Sequence, residues 1–399
     1  MEKICDKVEC TGCATCAEGC PKNAIAMKED AEGFLFPEIN QDRCIECGIC
    51  QRLCPSLHDT QSYLADYYAF QYRDQDILQQ SSSGAAFSAI ADYVLVHQGV
   101  VFGAALDQKT RRVYHTNTSS SEGLRPIRLS KYFQSEKKDT YVEVRKYLED
   151  GRWVLFSGTA CEIAGLISLL RLKATETTKL ITAEVLCHGC TSKTVVDSYL
   201  KSKQHHYGKK IINFRFRVKE SDGWQAGLGT RMKLTFDDGS SIVQDSATDE
   251  FFCGFNSNLF LRESCYRCHY AGPRRLADFT LADFWGVEQT RASLVRQHNG
   301  ISLLLVNTDK AKLLLPEIAQ GSYLVSVSRQ EAAPYNRALV EPNSRPAARD
   351  SIYNKLIGHD FCRVIRTTLR SYYLKLAIKR NLKRLIGEER IKRIKGWAS

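Results

Sequence analysis

One cysteine run is written twice within the first 54 residues: Cys10-x2-Cys13-x2-Cys16-x3-Cys20-Pro21 and Cys44-x2-Cys47-x2-Cys50-x3-Cys54-Pro55. Three cysteines on a tight loop can reach three irons of one cubane cluster. The fourth, displaced by a turn and stopped by proline, reaches across to a second cube. The spacing therefore predicts that Cys10, Cys13, Cys16 and Cys54 hold one 4Fe-4S cluster, and that Cys44, Cys47, Cys50 and Cys20 hold another. Cys-x2-Cys also suits tetrahedral zinc, but zinc sites rarely use two identical four-cysteine runs each ended by proline.

Between the runs, Ala24 to Met27 and Phe34 to Pro37 flank Ala31-Glu32-Gly33, the pattern of a hairpin. Residues 1–60 are expected to form an α+β ferredoxin-like N-terminal module. The chain has 16 cysteines in 399 residues, nine of them before residue 55 and seven between Cys161 and Cys362. No run of eighteen apolar residues occurs, and Met1-Glu2-Lys3-Ile4-Cys5 lacks an apolar signal core, so a cytoplasmic chain is expected. That compartment keeps thiols reduced, so the cysteines read as metal ligands and not as a disulfide framework. Cys5, Cys253 and Cys362 have no partner spacing and read as structural.

The formal charge of +11 is concentrated at one end: residues 361–399 hold twelve Lys and Arg against two Glu, leaving 44 basic against 43 acidic residues before them. A neutral body with a basic appendage does not offer the basic working face that nucleic-acid binding needs, and no nucleic-acid partner is expected. Ile378, Leu382, Leu385 and Ile386 recur at helical spacing among Lys379, Arg380, Lys383 and Arg384, with Trp397 beyond. This amphipathic basic helix suits either docking on an anionic membrane surface, at the inner face, or packing on the body with a solvated basic face. Residues 336–399 are thus expected to be a helical basic C-terminal tail.

From Leu78 to Val306, short β-rich runs alternate with helical stretches, which favours an α/β domain, taken as residues 61–335. Val100 to Ala105, Trp153 to Phe156, Leu180 to Leu186 and Ile301 to Val306 read as buried strands; Tyr141 to Leu148, Cys161 to Leu172 and Thr194 to Lys203 read as helices. Met232 to Phe236 with Asp237-Asp238-Gly239 reads as a hairpin. Neither GxGxxG nor GxxxxGK[ST] occurs. Ser81-Ser82-Ser83-Gly84 before a helical run and Ser157-Gly158-Thr159 after a strand are candidate cradles for a diphosphate or an anionic flavin ring, with ordinary helix capping as the alternative.

The segments Ser81 to Gly84, Gly99 to Ala104, Ser130 to Ser135, Phe156 to Cys161, Cys187-His188-Gly189, Ser264 to Cys268 and Asp278 to Gly286 resemble, in order and spacing, the beta-subunit family of coenzyme F-420 hydrogenases and dehydrogenases. Two positions depart from the family pattern: Ala160 replaces a usual proline, and Cys190 follows Cys-His-Gly where an apolar residue and Pro-Ser usually stand. The resemblance implies a flavin-binding domain and a flavin and iron-sulfur protein that moves electrons between clusters, FAD and a hydride-carrying partner. It places Asp278 and Asp283 near the cofactor. Ser83, Gly84, Lys131, Tyr132, Ser157, Gly158, Thr159 and Asp283 are the expected flavin contacts. Arg274 and Arg275 are further candidates to neutralise phosphate.

Cys161 and Cys187 each follow a predicted strand, and in an open α/β sheet the carboxyl ends of strands converge on the ligand crevice. With Cys265-x2-Cys268 they would hold a third 4Fe-4S cluster. A variant set uses Cys187-x2-Cys190 with Cys265-x2-Cys268, a spacing that equally suits zinc, and free cysteines are also often small buried hydrophobes. His188 is the candidate proton donor to a reduced flavin, or else a support beside the ligand. The expected function is a flavin-dependent iron-sulfur oxidoreductase, passing electrons from a ferredoxin-like or other redox protein donor through the clusters to FAD and then, as hydride, to a coenzyme or small-molecule acceptor. The alternative is a non-catalytic electron-transfer subunit serving a partner redox enzyme.

Overall fold

A computed structural model describes residues 3–219, 230–294 and 299–386. Apolar runs such as Val154-Leu155-Phe156 and Leu303-Leu304-Leu305 have no polar face, as strands covered on both sides require, and each of these side chains is at most 1% exposed. They lie in a mixed nine-stranded sheet. Its order is Tyr323–Val327, Asp66–Gln71, Ser302–Val306, Phe279–Asp283, Leu180–Val185, Val154–Thr159, Val100–Asp107, Arg112–Thr118, Ser135–Glu136. The four strands from Phe279–Asp283 to Val100–Asp107 run parallel, with Val154 opposite both Val100 and Leu180, and Phe279 opposite Ala183.

The parallel core is the expected α/β pattern, with the helices Thr140–Glu149 and Ala160–Leu172 at its crossovers. The flanks differ from it, because they are mostly antiparallel. Short turns explain part of this: Asp107 Oδ1 accepts from the amides of Lys109 and Thr110, reversing the chain directly into Arg112–Thr118. The carboxyl ends of three parallel strands, at Thr159, Val185 and Asp283, fall on one edge. Asp283 is in register with Ser302, which is in register with Phe70. Gly84 closes on that edge, where a Cβ would stand 2.2 Å from the Phe70 carbonyl oxygen.

A smaller sheet, Ile211–Arg215 with Arg231–Phe236 and Ser241–Asp245, contains the expected hairpin, with Gly239 at φ 82° in its turn. An aromatic core joins it to the C-terminal helices: Phe214, Phe216, Phe251, Phe252 and Phe260 pack with Tyr199, Phe361 and Ile365. This corrects the expected tail from residue 336. Arg349–Leu356 and Phe361–Thr368 bury Ile352, Tyr353, Leu356, Phe361 and Ile365 in the body, and Arg366 pairs with Glu250. The following helix, Arg370–Ile386, starts on the body, with Tyr373 against the aromatic core and Tyr372 Oη donating to the Ala247 carbonyl, and then bears Leu374 60% and Ile378 51% exposed. The side chains of Lys379, Arg380, Leu382, Lys383, Arg384, Leu385 and Ile386, and all of Trp397, lie outside the described residues.

The first module has the expected hairpin, Ile25–Glu29 against Leu35–Ile39, with Met27 opposite Pro37, and two short helices, Thr15–Glu18 and Ile49–Leu53. It is docked firmly onto the body. Phe34 is 1% exposed in the aromatic core, and the Arg349 guanidinium, itself buried, donates to both carboxylate oxygens of Glu32 at the hairpin tip. Thr15 Oγ1 donates to the Gly165 carbonyl at 2.8 Å. Among the described residues no helix is long and apolar enough to cross a membrane.

Candidate metal centres and cofactor site

The sequence assigned two cysteine sets to the first module. Cys20, Cys44, Cys47 and Cys50 line one cavity, together with Pro21, Ile25, Ile39 and Ile49. Cys47 is exposed, so this set faces solvent. Cys10, Cys13, Cys16 and Cys54 are buried. Burial pushes the Cys13 thiol up to about 11 and the Cys16 thiol well above its ordinary value. The charges of Cys10 and Cys54 act on both in the same direction. The thiol of Cys5, expected to be only structural, is raised by its neighbours Cys10 and Cys54 and by burial.

Four buried thiols that would repel one another as thiolates are a poor apolar cluster and a good ligand set, because metal binding is what stabilises the deprotonated form. The set packs directly on the body. A Cβ on Gly165 would meet the Cys13 Sγ at 3.3 Å, and Tyr141 Oη lies 2.9 Å from the Cys13 carbonyl and 3.0 Å from that of Glu162.

On the other side of that contact lies the second cysteine group. Cys161 is the second residue of the Ala160–Leu172 helix, and Cys187 follows the Leu180–Val185 strand, so both sit at carboxyl ends of adjacent parallel strands. Cys265 and Cys268 come from the turn Glu263–Arg267 and its end. Burial raises all four thiols, Cys265 to about 11, and the neighbouring thiols add to it: Cys161 feels Cys268 and Cys265, and Cys187 feels Cys265, Cys161 and Cys268. The structure thus brings the expected four together. Cys190 is close, but its thiol donates to the Thr191 carbonyl at 3.2 Å, which favours Cys187 over it as the ligand. Tyr270 lies between the groups, its hydroxyl raised by burial and then by Cys161, Cys13, Cys268 and Cys54.

Among the described residues no three His, Cys, Asp or Glu side chains are placed to hold a single metal ion.

The flavin contacts expected from the sequence meet at the same sheet edge. Asp283 accepts from both terminal nitrogens of Arg217, at 2.8 and 2.9 Å. Arg217 also donates to the Ser82 carbonyl at 2.9 Å and reaches Tyr132 Oη at 3.3 Å. Ser130 N donates to Ser82 Oγ at 3.2 Å. Lys131 donates to the carbonyls of Pro126, Ile127 and Arg128, and Lys219 to those of Leu78, Ser83 and Asn299. Burial pulls both lysines down to about 7. Arg217 alone is paired with the carboxylate, while the two buried lysines are held by backbone carbonyls, so a bound anion such as a diphosphate would add the counter-charge they lack. The start of the Ala86–Val96 helix adds amides with no side-chain cap.

Several expected contacts are otherwise engaged. Ser83 Oγ donates to the Ile301 carbonyl, and Gly84 lacks a Cβ because backbone packs against it. Glu162 Oε2 accepts from Thr159 N, so the Ser157-Gly158-Thr159 turn is an ordinary helix cap, with Thr159 Oγ1 3.1 Å from Cys161 Sγ. His188 packs its ring on Phe255 and has Nε2 3.2 Å from the Phe255 carbonyl. Burial lowers its pKa, which favours the neutral ring.

Asp278 departs from the expectation: it immediately precedes the strand Phe279–Asp283 and binds Thr182, Thr308 and Lys310 at the end of the sheet opposite Asp283. Arg275 is likewise no phosphate ligand, being buried against Glu184, and Arg274 binds Ser62. Sequence reading missed Arg217 and Lys219, although the alternation of Arg215, Arg217 and Lys219 was a visible period-two signal.

Residues 9–57 match the 4Fe-4S dicluster domain, and residues 151–331 match the C terminus of the coenzyme F420 hydrogenase/dehydrogenase beta subunit. The chain therefore joins a dicluster iron-sulfur segment to a segment of the F420 hydrogenase/dehydrogenase beta-subunit family. Among curated proteins, the B component of the ion-translocating oxidoreductase complex of Methanosarcina acetivorans is 36% identical over 55 residues, 14% of this chain and 19% of that protein. Ferredoxin-type protein NapF of Haemophilus influenzae is 44% identical over 43 residues, 11% of this chain and 24% of that protein. The chain thus spans about a fifth to a quarter of these relatives. The F420-reducing NiFe hydrogenase complex of Methanosarcina barkeri, solved as a xenon derivative, contains a similar chain at TM-score 0.47 and 13% identity, covering 78% of this chain and 93% of that one.

Proposed function

We propose that this chain is a flavin-dependent iron-sulfur oxidoreductase that accepts single electrons from a ferredoxin-like donor and delivers two, as hydride, to a coenzyme or small-molecule acceptor. The observation that carries the reading is the succession of three cysteine sets, from exposed Cys47, through buried Cys13 against Gly165, to Cys161 and Cys187 on the sheet edge that also bears the Arg217–Asp283 pair.

In this reading Cys20, Cys44, Cys47 and Cys50 hold the entry cluster, Cys10, Cys13, Cys16 and Cys54 the middle one, and Cys161, Cys187, Cys265 and Cys268 the inner one. Lys131, Arg217 and Lys219 neutralise the diphosphate of FAD. Ser83, Gly84 and Tyr132 stand beside it, and Asp283 is the partner that neutralises Arg217 when no flavin is bound. Ser157, Gly158 and Thr159 carry the chain from the sheet to Cys161. When bound, the clusters supply one-electron transfer and the flavin converts single electrons into a hydride pair. Protein purified without oxygen should contain flavin and be reduced by reduced ferredoxin. A preparation rich in iron that neither contains nor rebinds flavin would overturn the assignment.

A second reading, an electron-transfer subunit serving a partner enzyme, is favoured by one observation. Neither His188, which faces a backbone carbonyl, nor Asp283, tied to Arg217, is free to move a proton. A stable co-purifying partner, with dye reduction but no hydride acceptor turnover, would select it.

A further inference from the structure

Arg262 is among the largest fully buried side chains, at 2% exposure, and its surroundings are unusual for an internal cation. Its Nε donates to the Cys10 carbonyl at 2.7 Å. One terminal nitrogen lies 3.6 Å from Cys10 Sγ and 3.0 Å from the Leu35 carbonyl, and the other is 3.2 Å from Gln134 Oε1. The guanidinium covers the Phe36 ring at 4.0 Å and faces the Phe34 ring at 5.5 Å. None of these partners is a carboxylate. Taking a guanidinium out of water without an anion is strongly unfavourable, and buried charges are found paired. The one atom among these partners that becomes anionic on ligation is Cys10 Sγ.

The backbone of the same residue reaches the other way. Arg262 N donates to the Cys190 carbonyl and Cys265 N donates to the Arg262 carbonyl, both at 2.9 Å. Arg262 therefore lies between the cysteine set of the first module and that of the body, with its charge turned toward Cys10.

We propose that Arg262 is the internal counter-cation of the cluster bound by Cys10, Cys13, Cys16 and Cys54, and holds that cluster at a higher reduction potential than its thiolates alone would give. This rests on the assignment of those four cysteines as ligands. Each reduction adds one electron, and so one negative charge, to the cluster without bond making or breaking. A fixed cation with an N–H directed at a ligand sulfur favours the reduced form, since net charge, hydrogen bonds to sulfur and solvent exposure set such potentials. With no carboxylate partner, the Arg262 charge is shared among neutral carbonyl, amide and ring contacts and the one sulfur that ligation makes anionic. Arg262 is a positioning residue acting through Cys10.

The test uses anaerobic full-length protein in redox titrations followed by electron paramagnetic resonance. In Arg262→Gln, one cubane signal should move to lower potential while the others stay in place and iron content is unchanged. Arg262→Lys, which keeps the charge, should return that signal most of the way. Wild type grown with 15N-arginine should show a nitrogen coupling at one reduced cluster that is lost in Arg262→Lys. This labelled comparison decides the matter even where Arg262→Gln loses iron. Unchanged potentials in an iron-replete Gln variant, equal shifts of every signal, or cluster signals without arginine coupling would overturn the inference while leaving the ligand assignment standing. Wild type without cubane signals would remove both.

Discussion

Replacing Asp283 by asparagine separates what the pocket needs for folding from what it needs for a ligand. The Arg217 and Asp283 side chains are 6% and 11% exposed and share two hydrogen bonds of 2.8 and 2.9 Å. Removing one partner of a buried pair costs about 3–5 kcal/mol, because the remaining charge is left uncompensated. Asparagine still offers an oxygen to one Arg217 N–H, so the lower end, about 3 kcal/mol, applies to the ligand-free protein. That predicts a drop of several degrees in the melting temperature of flavin-stripped protein, measured by calorimetry. The same substitution leaves the Arg217 charge without its carboxylate and open to an anion, so flavin should be retained at least as well as in wild type and should restore more stability on rebinding. An unchanged melting temperature would show that Arg217 does not depend on Asp283. Loss of flavin from a stably folded variant would refute the role given to Asp283 as the partner of Arg217.

Flavin affinity should fall as pH rises from about 7 toward 10. Lys131 and Lys219, pulled down to about 7 by burial, are neutral there and must take up protons to face an anion, which titration calorimetry in buffers of different ionisation enthalpy detects as proton uptake. The sign for the flavin-free protein is opposite. Between about 7 and the ordinary lysine value near 10.4, the unfolded chain holds protons the folded one does not, so stability rises with pH in that window. Brief exposure to air should remove about four irons first, from the set containing exposed Cys47, and Cys47→Ser should show the same loss without oxygen. A chain ended after Tyr373 should keep the melting temperature and iron content of the full-length protein, and co-sedimentation with anionic vesicles that is lost in that chain would select the membrane reading of the tail over packing on the body. Ending the chain before Arg363 instead would remove Ile365 from the core and unfold it.

Legibility in the sequence followed the range of the interactions involved. The two cysteine runs are local, because a cubane fixes ligand spacing along one loop, and the cavity lined by Cys20, Cys44, Cys47 and Cys50 matches the set the spacing assigned. The parallel strands were legible from unbroken apolar runs, and Cys161 and Cys187 followed from strand ends. What escaped was set by tertiary pairing. Asp278 and Asp283 look alike in sequence, yet a five-residue strand places them at opposite ends of the sheet. The basic stretch after residue 336 gave no sign that Phe361 and Ile365 complete an aromatic core built from Phe251 and Phe260. Arg262 carries no spacing signal at all, since its partners Cys10 and Leu35 are more than 200 residues away.

The most direct test is metal and flavin analysis of protein purified without oxygen, alongside a Cys265→Ser variant. Three cubanes predict about twelve irons per chain, falling to about eight in the variant, with little zinc and about one flavin in wild type. About eight irons in both proteins would mean that Cys161, Cys187, Cys265 and Cys268 hold no cluster, and zinc in place of iron would contradict the electron path altogether.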